Sequence, residues 1–223
     1  MKGIIFDMDG VLIDSAEAHF HAWHSLGKEI GTPHTREFFN STFGMHNNQI
    51  MPRWLGASLD PGDGQRLAER KEVIFREVVS QHLTALPGAQ EFVAAAREAG
   101  YLCAVGSSGP RRNVETALDI LGIRHLFHHL ATGDDVTEGK PHPEVFLMAA
   151  AGLGLKPSRA VVIEDAPQGV EAGLAAGCPV VALTTSRPGE DLRGAHLIEE
   201  SLATLRLTQV EALLGAWRSG PTD

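Results

Sequence analysis

Gly3-Ile4-Ile5-Phe6-Asp7-Met8-Asp9-Gly10 is a short apolar run that breaks on two carboxylates and a glycine. A run this short, without polar alternation, predicts a strand buried on both faces, as in a parallel sheet. Similar runs recur at residues 102–105, 160–163 and 179–183, each bounded by glycine, proline or an acidic residue. Apolar residues at helical spacing fill the intervals at 91–99, 114–121, 144–151 and 170–176. Gly100, Gly122, Gly152 and Gly177 stand where a left-handed residue would close each last turn. Strands alternating with helices predict an α/β fold, a Rossmann-like doubly wound parallel sheet.

The pattern changes between residues 16 and 83. Helical periodicity runs through 16–30 and 67–79 with no buried strand between them. We expect residues 15–85 to form a helical cap domain inserted into a catalytic core of residues 1–14 plus 86–223. Ser15 and Leu86-Pro87 are the expected hinges, the latter because Pro87 and Gly88 punctuate a turn.

The 223 residues are 43% apolar and 21% charged, ordinary for a globular protein. Acidic side chains number 28 against 19 basic ones, a formal charge of -9. That balance offers no footprint for nucleic acid or an anionic membrane. Cys103 and Cys178 lie in or beside apolar stretches, so buried thiols in a reducing cytoplasm are expected rather than a disulfide. The opening residues lack a signal-peptide pattern, and no apolar run reaches the length of a membrane span. A cytoplasmic monomer acting on a small molecule is expected.

Asp7 and Asp9, two residues apart after a strand, can point to one side of the extended chain. Strand ends are where open α/β sheets bind ligands. Adjacent carboxylates repel unless a cation or a shared proton intervenes, and hard oxygen ligands suit Mg2+. An ordinary Asp-Gly turn is the alternative. Three further strand ends carry complementary chemistry. Ser107 and Ser108 follow residues 102–106 and precede Gly109-Pro110-Arg111, a helix start with free amides for an anion. Lys140 sits in Gly139-Lys140-Pro141-His142-Pro143, a rigid setting for a point charge against phosphate oxygens. Glu164-Asp165 ends the run at 160–163 and supplies further oxygen ligands for a cation.

The succession acidic pair, serine, lysine, acidic pair resembles the haloacid dehalogenase superfamily, in particular its phosphotransferring members. Residues 7–15, the Gly139-Lys140-Pro141 triplet, residues 17–23 and Arg70-Lys71 resemble its β-phosphoglucomutase-like group, which includes sugar-phosphate phosphatases. The resemblance implies Asp7 as a nucleophile forming an aspartyl-phosphate, and Asp9 as general acid and then base. It implies Mg2+ held by Asp7, the Asp9 carbonyl, Asp165 and Glu164, with Ser107 and Lys140 binding phosphoryl oxygens. His19 is implied at the mouth of the site. Gly44, Asn47 and Lys71 are candidate substrate contacts in the cap, Ser108 one in the core.

Trp23 could stack on a sugar ring, although a tryptophan at helical spacing also serves as core. A mutase resembling this group carries a lysine after the motif serine and an arginine in the cap. Pro110 and Asn47 stand at those positions here, which favours a phosphatase for a sugar or polyol phosphate over a phosphosugar mutase. Arg111, Arg112, Arg53 or Lys71 could replace the missing charge. A third possibility is a sugar-phosphate binding protein without turnover.

A zinc site is not expected among the 11 histidines, because His21 and His24 share a helix face without a third ligand nearby. A serine nucleophile elbow and a phosphate-binding loop are excluded by spacing at Ser107 and Lys140.

Overall fold

The structure, a computed structural model, describes residues 1–218. In chain order it runs β1 (Gly3–Phe6), β2 (Ile13–Asp14), α1 (Ala16–Glu29), α2 (Arg36–Thr42), α3 (Asn47–Leu55), α4 (Pro61–His82) and β3 (Thr84–Ala85). There follow α5 (Ala89–Glu98), β4 (Leu102–Gly106), α6 (Arg111–Ile120), β5 (His129–Ala131), α7 (Glu144–Gly152), β6 (Ala160–Glu164), α8 (Pro167–Ala175), β7 (Val180–Leu183), β8 (Leu197–Glu199) and α9 (Leu207–Arg218).

Six parallel strands form one sheet in the order β5-β4-β1-β6-β7-β8, the doubly wound arrangement expected. Alternation along β1 explains why its run carries no polar residue. Ile4 and Phe6 face a layer containing Phe92 of α5, Leu118 of α6 and Leu214 of α9. Ile5 faces the opposite layer, with Phe146 of α7 and Val170 of α8. Phe6 pairs in register with Val105 and with Ile163. One step further, Asp7, Gly106 and Glu164 therefore emerge side by side at one edge of the sheet.

Helices α1 to α4 lie between β2 and β3 and share their own apolar cluster, including Trp23, Leu26, Phe39, Ile50 and Phe75. The two connections to the sheet pair with each other. Ile13 opposes Ala85 and Asp14 opposes Thr84 in an antiparallel bridge, and the Leu86 amide donates to the Leu12 carbonyl at 3.0 Å. Asp60 caps α4 by accepting from the Gly62 and Asp63 amides, with Pro61 in the first turn.

Gly100, Gly122 and Gly177 do take positive φ after their helices. Gly152 does not. It is the last residue of α7 and lies beneath the His129 ring, which a Cβ would strike, and Gly154 with φ of 67° makes the left-handed turn instead. The edge strands β5 and β8, with three residues each, are too short to show a period. Both cysteines are buried and unpaired, and burial pushes each thiol up to about 12. Among the described residues, no helix is long and apolar enough to cross a membrane.

His34 is 1% exposed. It stacks on Trp23 with centroids 5.1 Å apart and meets Phe38 and Trp54 edge-on. Neither ring nitrogen has a hydrogen-bond partner. Burial first, then the charges of Lys71 and His24, pull its pKa down to about 4. Because the unfolded chain binds this proton more readily, stability is full above pH about 6.5 and falls as pH drops towards 4. His34→Phe should flatten the pH dependence of thermal unfolding between those values, as measured by circular dichroism.

Candidate active site

The C-terminal ends of β1 and β6 and the loop before α7 bring four of the expected groups together. Asp7 continues the β1 ladder through its amide, which donates to the Ile163 carbonyl at 2.9 Å. Its side chain stands beside Glu164 and Asp165, with ligand oxygens of all three within 4.8 Å of one another. Lys140 reaches in from the loop before α7 and donates to Asp7 Oδ1 at 2.7 Å and Glu164 Oε1 at 2.6 Å. All four side chains are buried.

Three carboxylates around one ammonium leave excess negative charge in a dry site, and the proton affinities record it. Burial pushes Asp7 up to about 7; Lys140 opposes that shift, while Glu164 and Asp9 reinforce it. Asp165 is held well above the carboxylate range by burial and then by the charges of Glu164 and Asp7. Burial alone would lower Lys140, yet the charges and hydrogen bonds of Asp7 and Glu164 keep it above its ordinary value. An all-oxygen set with unbalanced charge fits a hard divalent cation such as Mg2+. Among the described residues, no other three His, Cys, Asp or Glu side chains bring their ligand atoms this close together.

Two glycines make room for the acidic groups. Gly10, at φ of 80°, lies against Asp165, and Gly169 in the first turn of α8 lies against the Glu164 carboxylate; a Cβ at either would collide. Glu164 Oε2 accepts from the Asp165 and Ala166 amides at 2.8 and 2.9 Å. Those bonds and Lys140 fix its orientation at the N-terminus of α8. Ser186, unanticipated from sequence, hydrogen-bonds Asp165.

The Asp9 side chain points elsewhere. It is hydrogen-bonded by the Ser15 hydroxyl and lies 3.2 Å from His19 Nε2. Burial raises its pKa, but the interaction with His19, the bond from Ser15 and the Lys71 charge outweigh that and hold it at about 2. Ser15, expected as a hinge, is thus also a ligand of Asp9. On the far side of the imidazole, Nδ1 lies 2.8 Å from Lys71 Nζ. An ammonium only donates, so Nδ1 accepts and the ring proton sits on Nε2, facing Asp9. His19 also stacks on Phe75 at 3.9 Å.

Ser107 is buried at the end of β4, and its Oγ accepts from the Gly109 amide at 3.0 Å. Ser108 Oγ is buried without a partner. A narrow cavity of about 60 Å³ is lined by Asp9, His19, Trp23, Gly44, Asn47, Lys71 and Ser108, among others. It shares Asn47, Glu72, Ser108 and Pro110 with a cleft of about 920 Å³ between the helical insertion and the core. Trp23 touches the narrow cavity, but its ring is committed to the insertion's own core, stacked on His34 and edge-on to Trp54.

Of the cations weighed as substitutes for the missing phosphate grip, Arg111 is tied to Asp135 at 2.7 Å and Arg53 lies 3.3 Å from the Met45 sulfur. Lys71 enters the site but is shared between Glu72 and His19. Arg76, which sequence reasoning passed over, is the one lysine or arginine among the described residues that lines the wide cleft. Glu72 and Asn113 were also missed. Glu72 ends the run Glu69-Arg70-Lys71-Glu72, which in sequence resembles any solvated helix face.

The sequence profile described as haloacid dehalogenase-like hydrolase matches residues 4–183. The chain is 32% identical over 205 residues to validoxylamine A 7'-phosphate phosphatase of Streptomyces hygroscopicus subsp. limoneus, covering 92% of this chain and 96% of that protein. It is also 32% identical over 213 residues to the chloroplastic 5-amino-6-(5-phospho-D-ribitylamino)uracil phosphatase of Arabidopsis thaliana, covering 95% of this chain and 57% of that longer protein. Its structure superposes on that of β-phosphoglucomutase from Clostridium difficile with a TM-score of 0.88 at 27% identity, covering 98% and 99% of the two chains.

Removing one partner of a buried ion pair costs about 3–5 kcal/mol. Lys140→Met should therefore lower the stability of the metal-free protein by about that amount, measured by urea unfolding in the presence of a chelator.

Proposed function

The chain belongs to the haloacid dehalogenase-like hydrolase family, and from that premise we propose that it is a Mg2+-dependent phosphatase for a small sugar or polyol phosphate. The observation that carries this is Asp7 at the end of β1, held by Lys140 beside Glu164 and Asp165, with Asp9 two residues on. An Asp7 oxygen attacks phosphorus, the ester P–O bond breaks, and the phosphoryl group rests on Asp7 until water removes it. Asp9 supplies a proton to the departing alkoxide and later takes one from the attacking water. An arriving phosphate monoanion brings that proton, and its remaining negative charge raises the proton affinity of Asp9. Lys140 and Ser107 bind the phosphoryl oxygens as charge redistributes. Mg2+, held by Asp7, Asp165, Glu164 and the Asp9 carbonyl, would supply the charge neutralisation that lets one anion approach another.

Residues 15–85 act as the cap and residues 1–14 with 86–218 as the core; residues 219–223 of the expected core lie outside the described residues. The narrow cavity beside Asp9 takes the leaving-oxygen end of the alcohol portion, and the wide cleft takes the rest of the body of the substrate. Hydrolysis is favoured over phosphosugar mutation by the lining of that cleft. Four carboxylates, Asp60, Glu69, Glu72 and Asp134, face it against Arg76, a poor setting for the second phosphate of a bisphosphate intermediate. Asn47 cannot stand in, since its amide donates to Glu72 at 2.8 Å. The related phosphatases act, by their names, on 5-amino-6-(5-phospho-D-ribitylamino)uracil and on validoxylamine A 7'-phosphate, which supports a small phosphorylated metabolite as the substrate here.

The decisive measurement is a panel of sugar and polyol phosphates assayed in parallel for free phosphate and for isomerised sugar phosphate. Mg2+-dependent phosphate release is expected, abolished in Asp7→Asn and lowered about 10²–10⁴-fold in Asp9→Asn. Isomer formation without phosphate loss would establish the mutase instead, and binding without turnover would establish a non-catalytic receptor. Undiminished release by Asp7→Asn would rule out the aspartyl-phosphate.

A further inference from the structure

Glu72 is a carboxylate only 5% exposed, on the face of α4 that meets the core. Three amine or amide groups on three different helices donate to it. Lys71 Nζ on α4 and Asn47 Nδ2 on α3 bond Oε1 at 2.9 and 2.8 Å. Asn113 Nδ2 on α6 of the core bonds Oε2, and the Asn113 oxygen accepts from Arg76 Nη1 at 2.8 Å. The Asn113 amide is thereby fully oriented. Burial would raise the pKa of Glu72, but the Lys71 charge with the bonds from Asn47 and Lys71 holds it at about 2.

A buried ion pair is a poor device for stability alone, because well-packed apolar residues of the same volume serve as well or better. This pair has a particular neighbour. Lys71 divides its protons between Glu72 and His19 Nδ1, and that second bond places the imidazole proton on Nε2, opposite Asp9. Remove the Glu72 charge and the Lys71 ammonium is drawn towards Asp9, the carboxylate that remains near it. His19 Nδ1 then loses its donor. The opposite tautomer would then turn an Nε2 lone pair on the Asp9 carboxylate and push it out of place.

We propose that Glu72 is a positioning residue: it holds Lys71 on His19, so that His19 aims Asp9 at the leaving oxygen, and its bond to Asn113 makes that alignment depend on the insertion being docked against α6. This rests on the role proposed for Asp9 and adds the group that governs it from the insertion. Closure and proton delivery are thereby joined in one hydrogen-bonded chain, Asn113–Glu72–Lys71–His19–Asp9.

The test compares two leaving groups. An alkyl polyol phosphate needs a proton on its departing oxygen, whereas para-nitrophenyl phosphate leaves as a stable anion and does not. kcat/KM reports the steps through the first transfer, in which the leaving group departs. For Glu72→Gln, kcat/KM with the alkyl ester should fall about 10–100-fold, while that with para-nitrophenyl phosphate changes by less than about 3-fold. Asn113→Ala, which removes the two bonds from the core to Glu72 and Arg76 and leaves the Glu72 charge in place, should show the same selectivity with a smaller loss. Thermal unfolding identifies a misfolded variant, and if Glu72→Gln does not fold, Asn113→Ala decides. Equal losses on both esters in a folded variant, or no loss on either, would overturn the proposal. Failure of the wild-type enzyme to release phosphate from any ester would instead overturn the underlying phosphatase assignment.

Discussion

One ammonium among three buried carboxylates is the constraint on which the rest of this site depends. Lys140 is bonded to Asp7 and Glu164 at once, and Asp165 stands beside them without a cation of its own from the chain. Such a group stays ionised only if its geometry is held firmly and its remaining oxygens are satisfied. The parallel register meets the first condition by setting Asp7 and Glu164 on neighbouring strands. The amides at the start of α8 meet the second by bonding Glu164. What is left over is negative charge that the polypeptide does not balance, and that residual charge is what makes the cluster receptive to a divalent cation.

A second charged chain lies across the first and uses the opposite strategy. Asp9, His19, Lys71 and Glu72 alternate acceptor and donor, so every buried group has a partner. The first cluster is poised and the second is saturated. This division suits their positions: one lies where a substrate must supply missing interactions, the other where orientation matters more than affinity. Asp9 bridges the two, through the backbone to Asp7 and through its side chain to the helical insertion.

The strand ends were legible in the sequence because their information is local. Apolar runs broken by Asp7, Ser107 and Glu164-Asp165 announce both the sheet and its functional edge, and parallel geometry does the remaining work of assembly. Glu72 was not legible, because nothing within the run from Glu69 to Glu72 distinguishes the buried carboxylate from its exposed neighbour. Burial there is decided by how a 22-residue helix lies on α6, a contact between segments distant in sequence. Trp23 illustrates the same limit. Its aromatic ring promised a sugar platform, yet His34 and Trp54, reached from elsewhere in the insertion, occupy its surroundings. Gly152 misled for a related reason, since a glycine demanded by the His129 ring above it looks in sequence like a glycine demanded by a turn.

The short β2–β3 pairing has a consequence for how such a protein changes over generations. The chain leaves and re-enters the core side by side, secured by two residue pairs. Segments between those pairs can be lengthened, trimmed or exchanged without shifting a strand of the main sheet, provided the His19, Lys71 and Glu72 chain to Asp9 is kept. The strand-end residues and the lining of the cleft are therefore separately heritable: drift in the rest of the insertion can recruit a new metabolite while the strand-end residues stay as they are.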